Sequence, residues 1–211
     1  MKPVTTALFA LILLFAISAC KKNNPQSQPI VYPNYSELKV GNYWVYQEYN
    51  IDTFGNATAL NYFDSCYVVK DTVINTKTYM VLAGPQPIAG ATNTTYQYLR
   101  DSLDFIVDNM GDIIFSSQHS GFTFRTQITP YDTFNVEMAP TPVAVTVPAG
   151  SYSTLDCIET IKTLPQYAPF QNPRYCHTRY AQNIGIITLT LEFYADDPNY
   201  TERRLVRYHL N

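Results

Sequence analysis

The chain has 211 residues, a net charge of −3 and only 15% charged residues; after Lys21-Lys22 it has no basic block, which excludes an electrostatic nucleic-acid binder. Aromatics make up 14%, including 18 tyrosines and a single tryptophan, and this mix, with Thr, Val and Asn throughout, suits half-buried pleated sheet rather than helix. The length beyond the N-terminal leader fits one domain with a real core rather than two.

Lys2 precedes an apolar run, Ala7 to Ala19, that is shorter than the ~20 residues a spanning helix needs and reads as a signal peptide. The segment Ile17-Ser-Ala-Cys20 resembles the lipobox of bacterial lipoproteins. That resemblance implies cleavage before Cys20, diacylglycerol on its thiol, and acylation (palmitate) of the new amino terminus. Each buried methylene adds about 0.8 kcal/mol of membrane binding, so several acyl chains hold a domain on a membrane without a spanning helix. The membrane is therefore the expected partner through Cys20. Lys21 is not the aspartate that retains enteric lipoproteins at the inner membrane, so outer-membrane residence is expected. The resulting division is a leader over 1–19, a lipidated tether over 20–36 and a β domain over 37–211.

Residues 21–34 are polar and broken by proline, as in a flexible spacer. Pro33-Asn-Tyr-Ser36 with Glu37-Leu-Lys-Val40 is expected to form one short helical turn, after which Gly41-Asn42 opens the first strand. Strands are predicted at 43–49, 62–70, 77–82, 96–100, 105–108, 113–116, 122–128, 135–138, 143–147, 187–193 and 204–210, separated by turn residues at the spacing of an antiparallel meander. Asn109-Met-Gly-Asp112 reads as a tight hairpin turn. Ile187, Leu189, Leu191 and Phe193 face one way while Thr188, Thr190 and Glu192 face the other, which requires one buried and one wet face. Trp44 and Tyr46 share a face, making Trp44 a core anchor. The fold class is all-β, a single domain of antiparallel strands in a strongly curved sheet or open barrel, its C-terminus tied into the sheet.

Three segments carry a further resemblance: Leu38-Lys-Val-Gly-Asn-Tyr-Trp-Val-Tyr46, Val145-Thr-Val-Pro-Ala-Gly-Ser-Tyr152 with Leu155 to Glu159, and Tyr180-Ala-Gln-Asn-Ile-Gly-Ile-Ile187. They are similar to the "GNxWxY", "VPAGxF/Y" and "YAxNIGI/V" anchors of a large group of bacterial lipoproteins and exported proteins common in Bacteroidetes. The group implies an antiparallel, strongly curved sheet and carries no established activity. Asp71-Thr72-Val73 and Asp101-Ser102-Leu103 are likewise similar to Asp-Ser/Thr-apolar sites of O-glycan attachment in that phylum, which marks Thr72 and Ser102.

The anchors also have a structural reading of their own. Pro148 ends a strand because it has no N–H, Gly150 permits the reversal, and Gly185 allows a bulge or a close backbone approach.

The sequence offers little chemistry. There is no nucleophile elbow, Ser120 beside His119 lies in a polar turn, and His119, His177 and His209 are isolated from one another. Adjacent Cys176 and His177 point to opposite faces of a strand and make a poor chelating pair. Asp196-Asp197-Pro-Asn199 reads as an exposed turn that adventitious calcium would suit. No catalytic, cofactor or metal residue is assigned. Cys66, Cys157 and Cys176 remain after lipidation. Cys157 and Cys176 would face each other in a hairpin centred between Gln166 and Tyr167, so a cross-strand disulfide and buried reduced thiols both stand open, with Cys66 free. Two functional readings follow. One is a non-enzymatic binding or accessory lipoprotein holding a glycan, lipid or envelope protein in its concave face. The other is a glycosidase-like envelope hydrolase whose carboxylates, drawn from Glu137, Glu159 and Glu192, meet only in the fold.

Overall fold

The computed structural model describes residues 30–86, 93–167, 173–191 and 199–211. Within the compact unit Tyr32–Asn211 the chain forms strands in sequence order: β1 Tyr43–Ile51, β2 Ala57–Ile74, β3 Lys77–Pro85, β4 Thr94–Ser102, β5 Phe105–Asp108, β6 Ile113–Ser116 and β7 Thr123–Ile128. The series continues through β8 Asp132–Met138, β9 Val143–Val147, β10 Gly150–Thr163, β11 Arg174–Ala181, β12 Gly185–Leu191 and β13 Tyr200–His209. Among the described residues the one helical turn is the 3-10 segment Pro165–Tyr167.

All ladders are antiparallel, and the hydrogen-bonded order runs β6-β5-β4-β3-β2-β1-β13-β12-β11-β10-β8-β7. Sequence-adjacent strands pair by hairpins, and a single long-range pairing of β1 with β13 joins the two meanders into one sheet. Its ends, β6 and β7, are neighbours in the chain, so the sheet curls into a nearly closed barrel. The thiol of Cys157 on β10 donates to the Ile114 carbonyl on β6 across the interior, at 3.5 Å. β10 carries two partners end to end, β9 against its first half and β8 against its second. Between them Ala139-Pro-Thr-Pro142 breaks the ladder, since proline supplies no N–H.

The core has two parts. One gathers Trp44, Tyr46, Val68, Val147, Ala181, Ile187 and Leu205; the other gathers Ile106, Phe115, Val136, Met138, Cys157 and Tyr180. The three sequence anchors converge in the first. Trp44 Nε1 donates to the Ile184 carbonyl (2.6 Å), and Tyr46 donates to that of Ile186 (3.0 Å). A Cβ at Gly185 would stand 3.2 Å from Trp44 Nε1. Val145, Ala149 and Tyr152 of the second anchor pack on the same cluster. In β12, Ile187 and Leu191 are fully buried as the alternation predicts. Thr188 is buried too, because Arg179 covers it and donates to its hydroxyl at 3.4 Å. Glu192 and Phe193 lie outside the described residues.

Two expectations near the N-terminus are corrected. No helical turn forms over 33–40. The Asn34 side chain accepts the Ser36 and Glu37 N–H groups instead (2.9 and 3.1 Å), and Glu37 has φ +48°. This local capping competes directly with helix. The segment just before residue 37 is also no free tether. The Tyr35 ring lies 5.2 Å from that of Phe115, Ser36 Oγ donates to Asp101 at 2.8 Å, and Asn34 accepts the Asn183 N–H at 2.8 Å. Composition hid this, because a single aromatic ring does the docking. At the opposite terminus, Asn42 accepts the Asn211 N–H at 2.8 Å and Lys39 Nζ reaches the Asn211 carbonyl at 2.7 Å, so the C-terminus is tied down as expected.

Candidate functional site

Alternation along each curved strand sends every second side chain inward, and the inward residues enclose a cavity of about 500 Å³. Its lining is largely apolar and aromatic: Tyr35, Trp44, Tyr46, Leu82, Leu99, Ile106, Val136, Tyr180, Ile186 and Leu189. Tyr35, Leu99, Ile106 and Tyr180 belong to the second core cluster or pack on it, so the cavity floor is continuous with the core. Leu189 is only half-buried, where Ile187 and Leu191 on the same strand are fully buried, and it lines this space.

The charged residues in the lining are paired. Arg203 and Asp64 form a buried ion pair at 2.6 Å, and Arg203 Nη2 also donates to the Gln86 carbonyl at 3.3 Å. Arg125 on β7 meets Glu159 on β10 at 3.1 Å in a half-buried pair. Leaving one member of such a pair alone in a low-dielectric interior is costly, which explains why both arginines of the lining have a carboxylate across the strand gap.

Cys66, Cys157 and Cys176, from β2, β10 and β11, all line this cavity, and none of the three is in a disulfide. The register sets Cys157 opposite Thr178 and Cys176 opposite Glu159, two residues away from the face-to-face arrangement a disulfide would need. The hairpin is longer by that amount than the sequence symmetry implied. Burial pushes the Cys66 thiol up to about 11. Burial, with the nearby Asp156 and Glu159 carboxylates adding, pushes Cys157 up to about 12. Both are therefore neutral at pH 7 and behave as small apolar groups rather than nucleophiles.

The remaining candidates lie apart from the cavity's polar centre. His119 does meet a serine and an aspartate, but not as a triad: Ser116 Oγ (3.1 Å) and Asp104 Oδ2 (2.9 Å) both approach the same Nδ1, and Ser116 itself donates to Asp104 at 2.9 Å. A general base needs the hydroxyl on one ring nitrogen and the carboxylate on the other. The knot instead holds the β6–β7 connection, with the Gln118 and His119 N–H groups also directed at Ser116 Oγ. Ser120 makes an isolated bridge with Met138. His177 Nδ1 (2.8 Å) and Arg179 Nε (3.3 Å) share Asp156 Oδ2, and Arg179 continues to Glu202 at 3.5 Å. His209 stacks on Tyr43 with ring centroids 5.6 Å apart.

Glu137 and Glu159 fall on opposite faces of their strands, since Glu159 pairs with Val136 and Glu137 with Ile158. Glu137 accepts from Thr123 Oγ1 at 3.2 Å while Glu159 faces the cavity. Among the described residues no group of three or more His, Cys, Asp or Glu is placed to hold a metal ion. Thr72 sits half-buried in the β2–β3 ladder and Ser102 at the end of β4. Cys20, Glu192 and Asp196-Asp197 lie outside the described residues, and Asn199 is buried.

Sequence reasoning did not find Arg203, Asp64 or Arg125. The one available signal was Arg203 itself, a charge at an inward position between Thr201 and Leu205, since charged residues are rarely buried unless paired.

No family model and no curated protein sequence matches the chain. Among solved structures, it is similar to a Bacteroides fragilis protein designated as exported and having a YmcC-like fold, with a TM-score of 0.52 at 15% identity, covering 84% of this chain and 98% of that one. It is also similar to a Parabacteroides distasonis protein designated a lipoprotein, with a TM-score of 0.55 at 11% identity, covering 85% of this chain and all of the other. At these identities the likeness establishes the fold, an all-β YmcC-like antiparallel barrel spanning nearly the whole of both relatives.

Proposed function

We propose that the chain is a lipid-anchored protein of the bacterial envelope whose barrel binds, without catalysis, a small molecule with an apolar body. The observation that carries this reading is the interior cavity of about 500 Å³, within the range of about 300–1,000 Å³ typical of small-molecule sites and mostly apolar like them. Its carboxylate, Glu159, is engaged by Arg125 and the Cys66 and Cys157 thiols are neutral at pH 7, so these groups offer packing surface rather than acid, base or nucleophile. The lipobox at Cys20 and the exported and lipoprotein designations of the two structural relatives support an envelope location. Outer-membrane residence rests on Lys21 alone and is decided by sucrose-gradient fractionation.

Two experiments test the proposal. Trp44, the only tryptophan, lines the cavity, so a chain-brominated fatty acid seated there quenches its emission by the heavy-atom effect. Dibromostearic acid titrated into the intact protein in nanodiscs is expected to quench saturably; emission that declines only linearly, as in the bulk lipid, contradicts the binding reading. For the anchor, Cys20→Ser is expected to abolish radioactive palmitate labelling and membrane fractionation, and retention of both contradicts it.

A further inference from the structure

The Asn34-to-Ser36 strap crosses one end of the barrel, from the Asn183 turn to Asp101 on β4. Every second hairpin link of a meander lies at the same end, so the β4–β5 and β6–β7 links meet there. They touch: the Ser117 N–H donates to the Asp104 carbonyl at 2.9 Å, and the His119 ring lies 5.1 Å from that of Phe105 and 6.1 Å from that of Phe122. Each link exposes one large apolar side chain, Leu103 at 72% and Phe122 at 56%. Leu103 also has φ +61°, a conformation that glycine and asparagine take readily and leucine does not. A leucine so exposed recovers little of that cost from packing within the fold. Leu103 shares the wall of a small pocket with Tyr32 and Pro33, so this apolar surface begins where the chain leaves the barrel toward Cys20. Tyr32 is 12 residues past Cys20, a reach of at most about 40 Å.

The opposite end exposes Phe54, Met110 and Ile128, but it differs in two respects. Phe54 and Met110 precede Gly55 and Gly111, and the glycines take the positive φ, so no apolar side chain sits at a strained position. Charge differs as well. Asp52, Asp108, Asp112 and Asp132 gather at that end against Lys162 and the buried Arg174 among the described residues. At the strap end Lys39, Lys70 and Lys77 offset Glu37, Asp71 and Asp101, and Asp104 is held by His119 and Ser116. An anionic lipid surface repels the first arrangement and tolerates the second.

Resting on the reading of Cys20 as the lipid anchor, we propose that Leu103 and Phe122 form the surface by which the barrel sits on the lipid bilayer. Both side chains enter the interface between headgroups and acyl chains, and the acidic end points away. Exposed apolar groups rimmed by polar ones suit such a surface. The contact fixes an orientation that acyl chains at the end of a tether leave open. It also sets the strap, whose Tyr35 and Ser36 line the cavity, against the lipid.

The test uses the intact protein in nanodiscs of phosphatidylethanolamine and phosphatidylglycerol, doped with a phosphatidylcholine whose acyl chain carries a diazirine near the glycerol. Irradiation expels dinitrogen, the carbene inserts into a bond of whatever side chain the lipid touches, and mass spectrometry locates the adduct. Insertion into residues 101–105 and 119–124 is expected to exceed that into 52–56 and 108–112 at least tenfold. Equal insertion at the two ends, an excess at the acidic end, or none at either end in protein that co-migrates with the nanodiscs overturns the proposal and leaves the anchor standing. Protein that does not co-migrate overturns the anchor and this proposal with it. Leu103→Asn suits φ +61° and is expected to keep the urea midpoint while insertion into 119–124 falls at least threefold; unchanged insertion overturns the part assigned to Leu103.

Discussion

Trp44 is held on two sides, its N–H by the Ile184 carbonyl and its ring by the bare backbone of Gly185. Both partners come from the far end of the chain, so this one side chain helps bind the two meanders across the β1–β13 junction. Trp44→Ala is expected to destabilise the fold by about 3–5 kcal/mol, the usual range for removing a large buried aromatic, measured by urea denaturation; a loss under about 1 kcal/mol contradicts the packing role. Gly185 has φ +104°, where a side chain is strained, and its Cβ would crowd the indole. Gly185→Ala should therefore cost about 1–3 kcal/mol and red-shift Trp44 emission as the ring loosens. The sequence already marked Trp44 and Gly185 separately as anchors. That they touch was hidden, since nothing local connects residues so far apart in the chain.

The cavity thiols make a residue-scale prediction with a definite sign. Cys66 and Cys157 are raised from the ordinary 9.0 to about 11 and about 12, so between those values the folded chain keeps protons that the unfolded chain releases. Stability is therefore undiminished by these groups below about pH 9 and falls as pH rises through 11 to 12. Burial also raises the hydroxyls of Tyr46 and Tyr180 from 10.0, in the same direction. Between pH 9 and 10 the decline belongs mainly to the thiols. The urea midpoint should drop across that interval, and Cys66→Ala with Cys157→Ala should flatten the drop; an unchanged slope contradicts it.

Among elements, period-two alternation and turn residues exposed most strands in the sequence, and the Asn109-to-Asp112 turn closes as expected with Asp108 Oδ1 accepting the Met110 and Asp112 N–H groups at 2.9 Å. Register was less legible. Irregularities between Val45 and Tyr46 and between Arg179 and Tyr180 shift one strand against the next, and a two-residue displacement of β11 against β10 separates the cysteines that symmetry had set face to face. The strap at Asn34 to Ser36 was misread because polar composition conceals a single docking tyrosine. The ends of the fold meet at Asn42, fully buried, which donates to the Glu37 carbonyl and accepts the Asn211 N–H, each at 2.8 Å. Asn42→Leu strips partners from both, at about 1–3 kcal/mol for each group left unpaired, and should lower the thermal midpoint; truncating Asn211 should reproduce part of that loss. A midpoint unchanged in both variants contradicts the latch.

At the scale of the molecule, curling the sheet until β6 reaches β10 turns inward residues of many strands into one wall, and only this closure creates the cavity. Sequence alone reached the all-β class and a concave face, but no spacing could bring Arg125, Glu159, Asp64 and Arg203 together, because each lies on a different strand. The central claim is that this wall encloses a single site. Cys66, Cys157 and Cys176 sample it from three strands, which permits one direct measurement: mass-spectrometric counting of methylmercury adducts on the native protein over time, with and without saturating dibromostearic methyl ester. A shared, occupied cavity predicts that the ester slows modification of all three thiols together by tenfold or more; modification rates indifferent to the ester, or protection of one thiol alone, would contradict it.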